Sequence, residues 1–397
     1  MAQGRVEAVQ FTGLRHTRES FLRQYITTST VSGYDSLQLA LDRQRLLNLN
    51  ILFDVRTEVR NESTGSVSVF FHCQEMIGTL PVFAIGQTEN TFWCRAGVQS
   101  LNLTGRADKL VAYYQYYDRH SVYLGYATDR LRLSNWGITA SLIQWATLEP
   151  LTINNVVTNY DYTNHTAYAS AVHFFSFHHT LEMGLGLFTE RFEPRSSPGP
   201  EINEVVQGKK LLTKAIYKYN HLNYAGFYID GFFHQVNVEF IHAADEVQNF
   251  ITVFSDFRYF KKMNTRWNWA NRVRAGLASN DDNPFAPFVL DSYLNIRGVG
   301  NRVDRGTGSF VINTEMRFTI FDRKGIAAQG VGFLDFGTWR KPGGSLADFK
   351  KSENMRAFTG LGFRLIYKKA FDTMLRVDVG YDYNKNSGVV IGIGQYF

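Results

Sequence analysis

No uninterrupted apolar run of about 18 residues occurs in this 397-residue sequence, which excludes helices that cross a membrane. Cysteine is scarce. Cys73 and Cys94 are too few for a disulfide scaffold, and the sequence leaves open whether they pair in an oxidising compartment or remain thiols. Lysine is missing from residues 1–79, where eight arginines balance eight carboxylates. The other 318 residues carry the whole net charge of +6, with 34 basic against 28 acidic side chains. No basic run or base-stacking motif accompanies that charge, so nucleic acid is not an expected partner. No Gly-x-Ser-x-Gly nucleophile elbow is present, and Asp230-Gly231 has no serine motif to work with. His178-His179, His234 and His242 read as isolated residues in or beside strands. The expectation is therefore no metal, no cofactor and no enzymatic chemistry.

Prolines number only eight, whereas Phe, Tyr and Trp make up 15% of the chain, a bias that suits strands with one face in lipid. Mean hydropathy is slightly negative and does not separate a soluble protein from a barrel. The first seventy-odd residues read as strand, helix, helix, strand, strand. Val6–Phe11 alternates as a short strand that stops at Gly13. Thr17 is a candidate N-cap for a helix with Phe21, Leu22, Tyr25 and Ile26 on one face. Gly33 breaks that helix, and Asp35 caps a second with Leu37, Leu41 and Leu47 inward. Ile51 opens a strand to about Arg60, and a turn at Asn61–Gly65 returns the chain through Val67, Val69 and Phe71. Any small βααββ domain shares this order. The stretches "VEAVQFTG", "LLNLNILFDVRTEV" and "GSVSVFFHCQE" in addition resemble a POTRA domain, the polypeptide-transport-associated module.

From Phe92 onward strands of ten or more residues repeat without a helix. Phe310, Ile312, Met316, Phe318 and Ile320 alternate with Asn313, Glu315, Arg317 and Thr319. Leu375, Val377, Val379 and Tyr381 alternate with Arg376, Asp378 and Gly380, and Trp267, Trp269, Val273 and Leu277 alternate with Asn268, Arg272 and Arg274. Charge on one face of several strands suits a wet lumen, not a dry sandwich. Sixteen strands are predicted, at 92–100, 106–117, 121–130, 136–148, 166–177, 180–191, 209–220, 224–241, 247–260, 266–278, 284–292, 308–321, 327–337, 355–367, 373–383 and 389–397. The fold class read from the sequence is mainly β: a 16-stranded antiparallel transmembrane β-barrel preceded by one α+β POTRA domain. The POTRA domain is placed at 1–78, a linker at 79–91 and the barrel at 92–397. The connections near 102–105, 220–223 and 384–387 are expected to be short and to face away from the domain.

"SYLNIRGVG" (Ser292–Gly300) resembles the "(V/I/L)RG(F/Y)" motif of the outer-membrane protein 85 family, the BamA- and TamA-like barrels, with Val299 in place of the usual aromatic. The resemblance implies a loop folded back into the lumen. Arg297 would meet Glu315 in "NTEMRF" and Asp335 in "GVGFLDFG", both inward by alternation, while Gly298 allows a tight turn. A guanidinium between two carboxylates makes charge-assisted, bidentate bonds that offset its desolvation. "AGVQSLNLTGRADKL" (Ala96–Leu110) resembles the family's first hairpin. "VVIGIGQYF" resembles its C-terminal assembly signal, with Phe397 terminal and Ile391, Ile393 and Gln395 on its face.

The resemblance further implies closure between 92–100 and 389–397, with Gly388, Gly392 and Gly394 weakening a lateral seam, or else relieving crowding inside a curved barrel. The strand near 66–74 would offer an edge for β-augmentation. The chain opens Met1-Ala2-Gln3-Gly4 without an apolar leader, so a mature sequence with its signal removed is expected. Three functions remain open: a translocase or assembly factor for protein or lipid, a platform docking a partner protein, and a passive pore. Expected partners are outer-membrane lipid and protein clients or periplasmic partners, with the domain in the periplasm of a Gram-negative cell.

Overall fold

The computed structural model describes residues 5–397 except residue 32 and segments 63–64, 89–90, 132–133, 154–155, 196–205, 244–248, 280–286, 291–294 and 300–303. The first unit is a small α+β domain: β1 (Val6–Thr12), α1 (Glu19–Leu22), α2 (Ser36–Leu47), β2 (Leu52–Asn61) and β3 (Val67–Glu75). The sheet order is β1-β3-β2, with β1 parallel and β2 antiparallel to β3. β3 is thus the central strand, and the edge expected there is filled on both sides; the outer strands are β1 and β2. Val6, Phe21, Leu22, Leu46, Val55, Val69 and Phe71 form its core, each at most 2% exposed.

Both helices differ in detail from the sequence reading. Thr17 does not cap α1, because its N–H donates to Glu75 at 2.6 Å and its hydroxyl accepts from Asn102; the helix spans one turn, continued by a 3-10 turn over Arg23–Tyr25. Asp35 caps α2 through Leu37 N at 2.8 Å. The buried face of α2 is Leu39, Asp42, Leu46 and Leu47, whereas Leu37 and Leu41 are exposed. Asp42 sets that register. Its carboxylate is fully buried and accepts the N–H groups of Thr27 and Thr28, which ties the inter-helix loop to the helix.

The barrel begins at once. β4 (Thr79–Thr88) is a wall strand, so 79–91 is not a linker. It is followed by β5 (Thr91–Ser100), β6 (Lys109–Tyr117), β7 (Arg119–Thr128), β8 (Trp136–Ile153), β9 (Val156–Phe174), β10 (His179–Pro194), β11 (Val206–Ala225), β12 (Tyr228–Ala243), β13 (Phe250–Lys262) and β14 (Trp267–Ala278). A two-stranded hairpin follows, β15 (Phe288–Leu290) with β16 (Asp304–Gly306). Then come β17 (Gly308–Asp322), β18 (Ile326–Arg340), β19 (Met355–Tyr367), β20 (Leu375–Asp382) and β21 (Ser387–Ile393). The wall closes with sixteen antiparallel strands, β4–β14 and β17–β21. The sequence count of sixteen was reached by two offsetting errors, since the described residues of 284–292 form the short β15 outside the wall and the true first strand, β4, was missed.

Alternation decides which side chains face out. Leu142, Met183, Leu185, Leu187 and Leu361 point outward at 57–73% exposure. A band of this size is stable only against another apolar phase. Trp136 against His173, Tyr219 against Phe232 and Trp267 against Phe318 place rings at the end nearest the domain. Of the connections expected to face away from the domain, 384–387 does. The 102–105 turn lies against the domain, and 220–223 lies inside β11 near its domain-side end.

Candidate functional site

The β14–β17 connection drops back into the lumen. Ile296 and Arg297 are fully buried and Val299 nearly so, and Ile296 and Val299 pack with Leu290, Val311, Trp339 and Phe358. Arg297 Nε and Nη2 donate to the two oxygens of Asp335 at 2.8 and 2.9 Å, and its backbone N–H donates to Asp335 at 2.9 Å. Nη1 donates to Glu315 Oε2 at 2.5 Å, while the other Glu315 oxygen accepts Arg317 Nε at 2.6 Å. Two arginines and two carboxylates thus form a balanced group. Fully desolvated charges of this kind are tolerable only when paired with opposite charge, as the Arg297 guanidinium is through all three of its nitrogens. The guanidinium also stacks on Phe333 at 3.7 Å and Tyr396 at 4.5 Å. The flanking rings come from the wall and the C-terminus, and Val299 packs as an ordinary apolar residue of the loop cluster. Of the motif, Ser292, Tyr293, Leu294 and Gly300 lie outside the described residues.

Gly298 has φ +92°, and a Cβ there would sit 2.8 Å from Gly380 Cα. Gly380 pairs with Gly388 across β20–β21, and a Cβ on Gly388 would lie 3.0 Å from Gly298 Cα. Gly388 is therefore where the loop backbone approaches the wall, not a gap in the seam. Arg317, Phe333 and Tyr396 were not singled out from the sequence. Only Arg317 left a signal there, two residues from Glu315 on the inward face.

Closure is between β21 and β4, not β21 and 92–100, because the wall has one more strand at its start than the sequence reading allowed. Among the described residues the register pairs four positions, Val389–Gln87 to Gly392–Ala84, against seven at the next shortest junctions, β7–β8 and β20–β21. Gly392 sits in this seam, beside Ala84 and the Arg376 guanidinium. β21 stops at Ile393. Gly394, at φ +98°, turns the chain off the wall and donates its N–H to Met374 O. Gln395 therefore shares no strand face with Ile391 and Ile393. Tyr396 and Phe397 lie buried in the lumen, Phe397 with Leu222, Ile229, Phe260 and Ala270, its carbonyl accepting Arg317 Nη2 at 3.4 Å. No strand pairs with that edge of 79–83 among the described residues, and Pro81 there has no N–H to offer.

The domain-side floor of the lumen is crossed by the β11–β12 hairpin tip. Phe227 and Tyr228 pack with Ala327, Ile366 and Met374 of the β18–β20 wall. Tyr228 OH donates to Thr265 O at 2.6 Å, and Asn268 Nδ2 donates to Ile229 O at 2.8 Å. Gly231, at φ +106°, lets the hairpin bend where a Cβ would meet His221 O. The domain grips the same tip: Gln44 donates to Tyr224 O and Asn48 to Asn223. A second joint lies on the β5–β6 turn, where His16 Nε2 meets Asn102 O at 2.7 Å and Arg18 N donates to Gly105 O at 2.9 Å. The "Asn-Leu-x-Gly" turn is thus a docking point. Partial burial alone would raise the Glu75 carboxyl, but bonds from Thr17, Arg15 and His16 hold it below its usual range.

No protein-family model and no curated protein matches the sequence. Solved structures do. Over 98% of its length the chain is similar to BamA from Haemophilus ducreyi lacking POTRA domains 1-3, at TM-score 0.58 and 14% identity, covering 84% of that chain. Over 99% it is similar to CdiB from Acinetobacter baumannii (TM-score 0.61, 11% identity, 74% of that chain) and to CdiB from Escherichia coli (0.61, 10%, 77%). The fold is that of the BamA and CdiB barrels. The likeness to BamA and CdiB covers the N-terminal α+β domain as well as the wall.

Proposed function

We propose that the chain is an outer-membrane barrel that handles protein clients, with the N-terminal unit a single POTRA domain in the periplasm and the β4–β21 seam a lateral gate. One observation carries this reading: among the described residues the seam is the shortest junction in the wall, and the chain that follows β21 turns inward at Gly394. Net hydrogen bonds contribute about 0.5–1.5 kcal/mol each, so four paired positions oppose opening far less than the seven or more elsewhere. The free edge at 79–83 could then template a client strand in a setting where an unpaired backbone is costly. The β2 edge of the domain is a second strand-pairing surface. Arg297, Gly298, Glu315 and Asp335 act as the clamp that holds the loop and the barrel shape during opening. The reading assigns no catalytic chemistry.

The alternative is a platform that docks a partner, favoured by the way the domain grips two barrel turns and holds a fixed pose. A disulfide between Ile85→Cys and Ile391→Cys, which face each other in the register, separates the two. Cys73 and Cys94 are first replaced by Ala, since Cys94 lies opposite Ile85 on the other side. Oxidation that abolishes function in cells lacking the native chain, with recovery on reduction, is the expected result. Unimpaired function of the locked barrel leaves the platform reading.

A further inference from the structure

A cleft of about 630 Å³ lies between β2 of the domain, the β11–β12 tip and the domain-side ends of β13, β17 and β19. Arg56, Lys262, Lys324, Lys368 and Lys369 line it against two carboxylates, Asp54 and Asp322. Both carboxylates are taken, Asp54 by Arg56 at 2.9 Å and Asp322 by Lys368. The Lys262 ammonium lies over the Tyr228 ring at 4.7 Å while its backbone N–H donates to Asp230, and among the described residues none of the ammonium groups of Lys262, Lys324 and Lys369 has a carboxylate partner. Uncompensated ammonium groups around an aromatic wall make a concave site of positive potential, suited to an anion. Ammonium groups act as point-charge ligands for phosphate.

The strands that carry these lysines say which anion. Ile320, Ile326, Leu365 and Tyr367 stand on the outer face of β17, β18 and β19 at 40–51% exposure, and Ile326 pairs with Tyr367 one residue before Lys368. Lys324, in the β17–β18 turn between Ile320 and Ile326, and Lys369, just past Tyr367, therefore stand at the height where the apolar band ends, the position at which basic side chains meet lipid headgroups, whereas Lys262 and Lys368 share the inward parity of Phe260 and Ile366. An acidic peptide would use the charge and leave the apolar track unused. We propose that the cleft binds the phosphate headgroup of an anionic phospholipid in the leaflet on the domain's side, with the acyl chains along Ile320, Ile326, Leu365 and Tyr367. The proposal rests on the reading of the barrel as membrane-spanning, and its test separates the two.

The full chain is reconstituted into phosphatidylcholine vesicles and washed with alkaline carbonate, which reports spanning alone. The same chain in detergent is given equal phosphatidylglycerol and phosphatidylcholine, and retained lipid is counted by native mass spectrometry. Selective retention of phosphatidylglycerol is expected, reduced about tenfold or more in Lys324→Gln/Lys369→Gln and unchanged in Lys350→Gln on the far side. A heat-dependent gel shift, kept by both variants, excludes misfolding as the cause. Loss of the chain from washed vesicles overturns the spanning reading and the site with it. Retention of the chain with no lipid preference, or an undiminished preference in the double variant, overturns the site alone. Displacement of the lipid by oligoglutamate, or binding of inorganic phosphate without retention of lipid, overturns the lipid assignment.

Discussion

Arg297 is fully buried with its charge divided between two carboxylates, so its removal leaves Asp335 without a cation and Glu315 with Arg317 alone. Uncompensated buried charge of this kind costs about 3–5 kcal/mol. Arg297→Ala should lower the temperature of the heat-dependent gel shift markedly, and Arg297→Lys should fall between, since an ammonium cannot reproduce the fork. An unchanged melting temperature in the alanine variant would remove the clamp from the account. Cys73 gives a second test. Burial first, then the Glu75 and Asp54 carboxylates, push its thiol up to about 12. Maleimide at neutral pH should leave Cys73 unmodified until the chain is denatured, and a thiol that reacts in the folded chain would contradict the packed domain core. Both cysteines are free, which the sequence had left open. The inward faces of Glu315 and Asp335 were legible from strand alternation, and their meeting with Arg297 was implied by the resemblance of the loop motif. The aromatic faces around it were not, since Tyr396 reaches Arg297 only because the chain turns at Gly394.

At the scale of elements, the joint between domain and barrel is set by Glu75 at the end of β3. Its folded pKa lies below the unfolded value of about 4.3, so the bonds it accepts stabilise the 15–18 loop fully above that value. That contribution is lost as pH falls through the depressed folded pKa. Hydrogen exchange of the 15–18 and 101–108 amides should therefore accelerate in mild acid, and Glu75→Gln should show the fast exchange already at neutral pH. Identical, pH-independent protection in both proteins would show that Glu75 does not hold the joint. β4 was misread as a linker because Pro81 and its flanking turns weaken a period-two pattern over ten residues. The α2 face was misread because leucines occupy both sides of the helix, and only the buried Asp42 chooses between them.

For the whole molecule, the lumen is occupied along its length by the Arg297 loop, the C-terminal turn and the β11–β12 tip. This arrangement speaks against a passive pore. Replacing residues 223–229 by a tight two-residue turn should raise conductance in planar bilayers, while the intact chain conducts little. A high conductance in the intact chain would revive the pore reading. The sequence by itself determined the antiparallel barrel class and the inward faces that carry Glu315 and Asp335, because alternation with a period of two is a local property. The pairing of both with Arg297 was implied by the resemblance of the loop motif, and the count of sixteen was right only through offsetting errors. Only the tertiary structure decided which strand closes the wall, how few residues the seam pairs, and what fills the floor. Those depend on contacts between segments hundreds of residues apart, and no local pattern encodes that β21 turns inward to leave part of β4 without a partner.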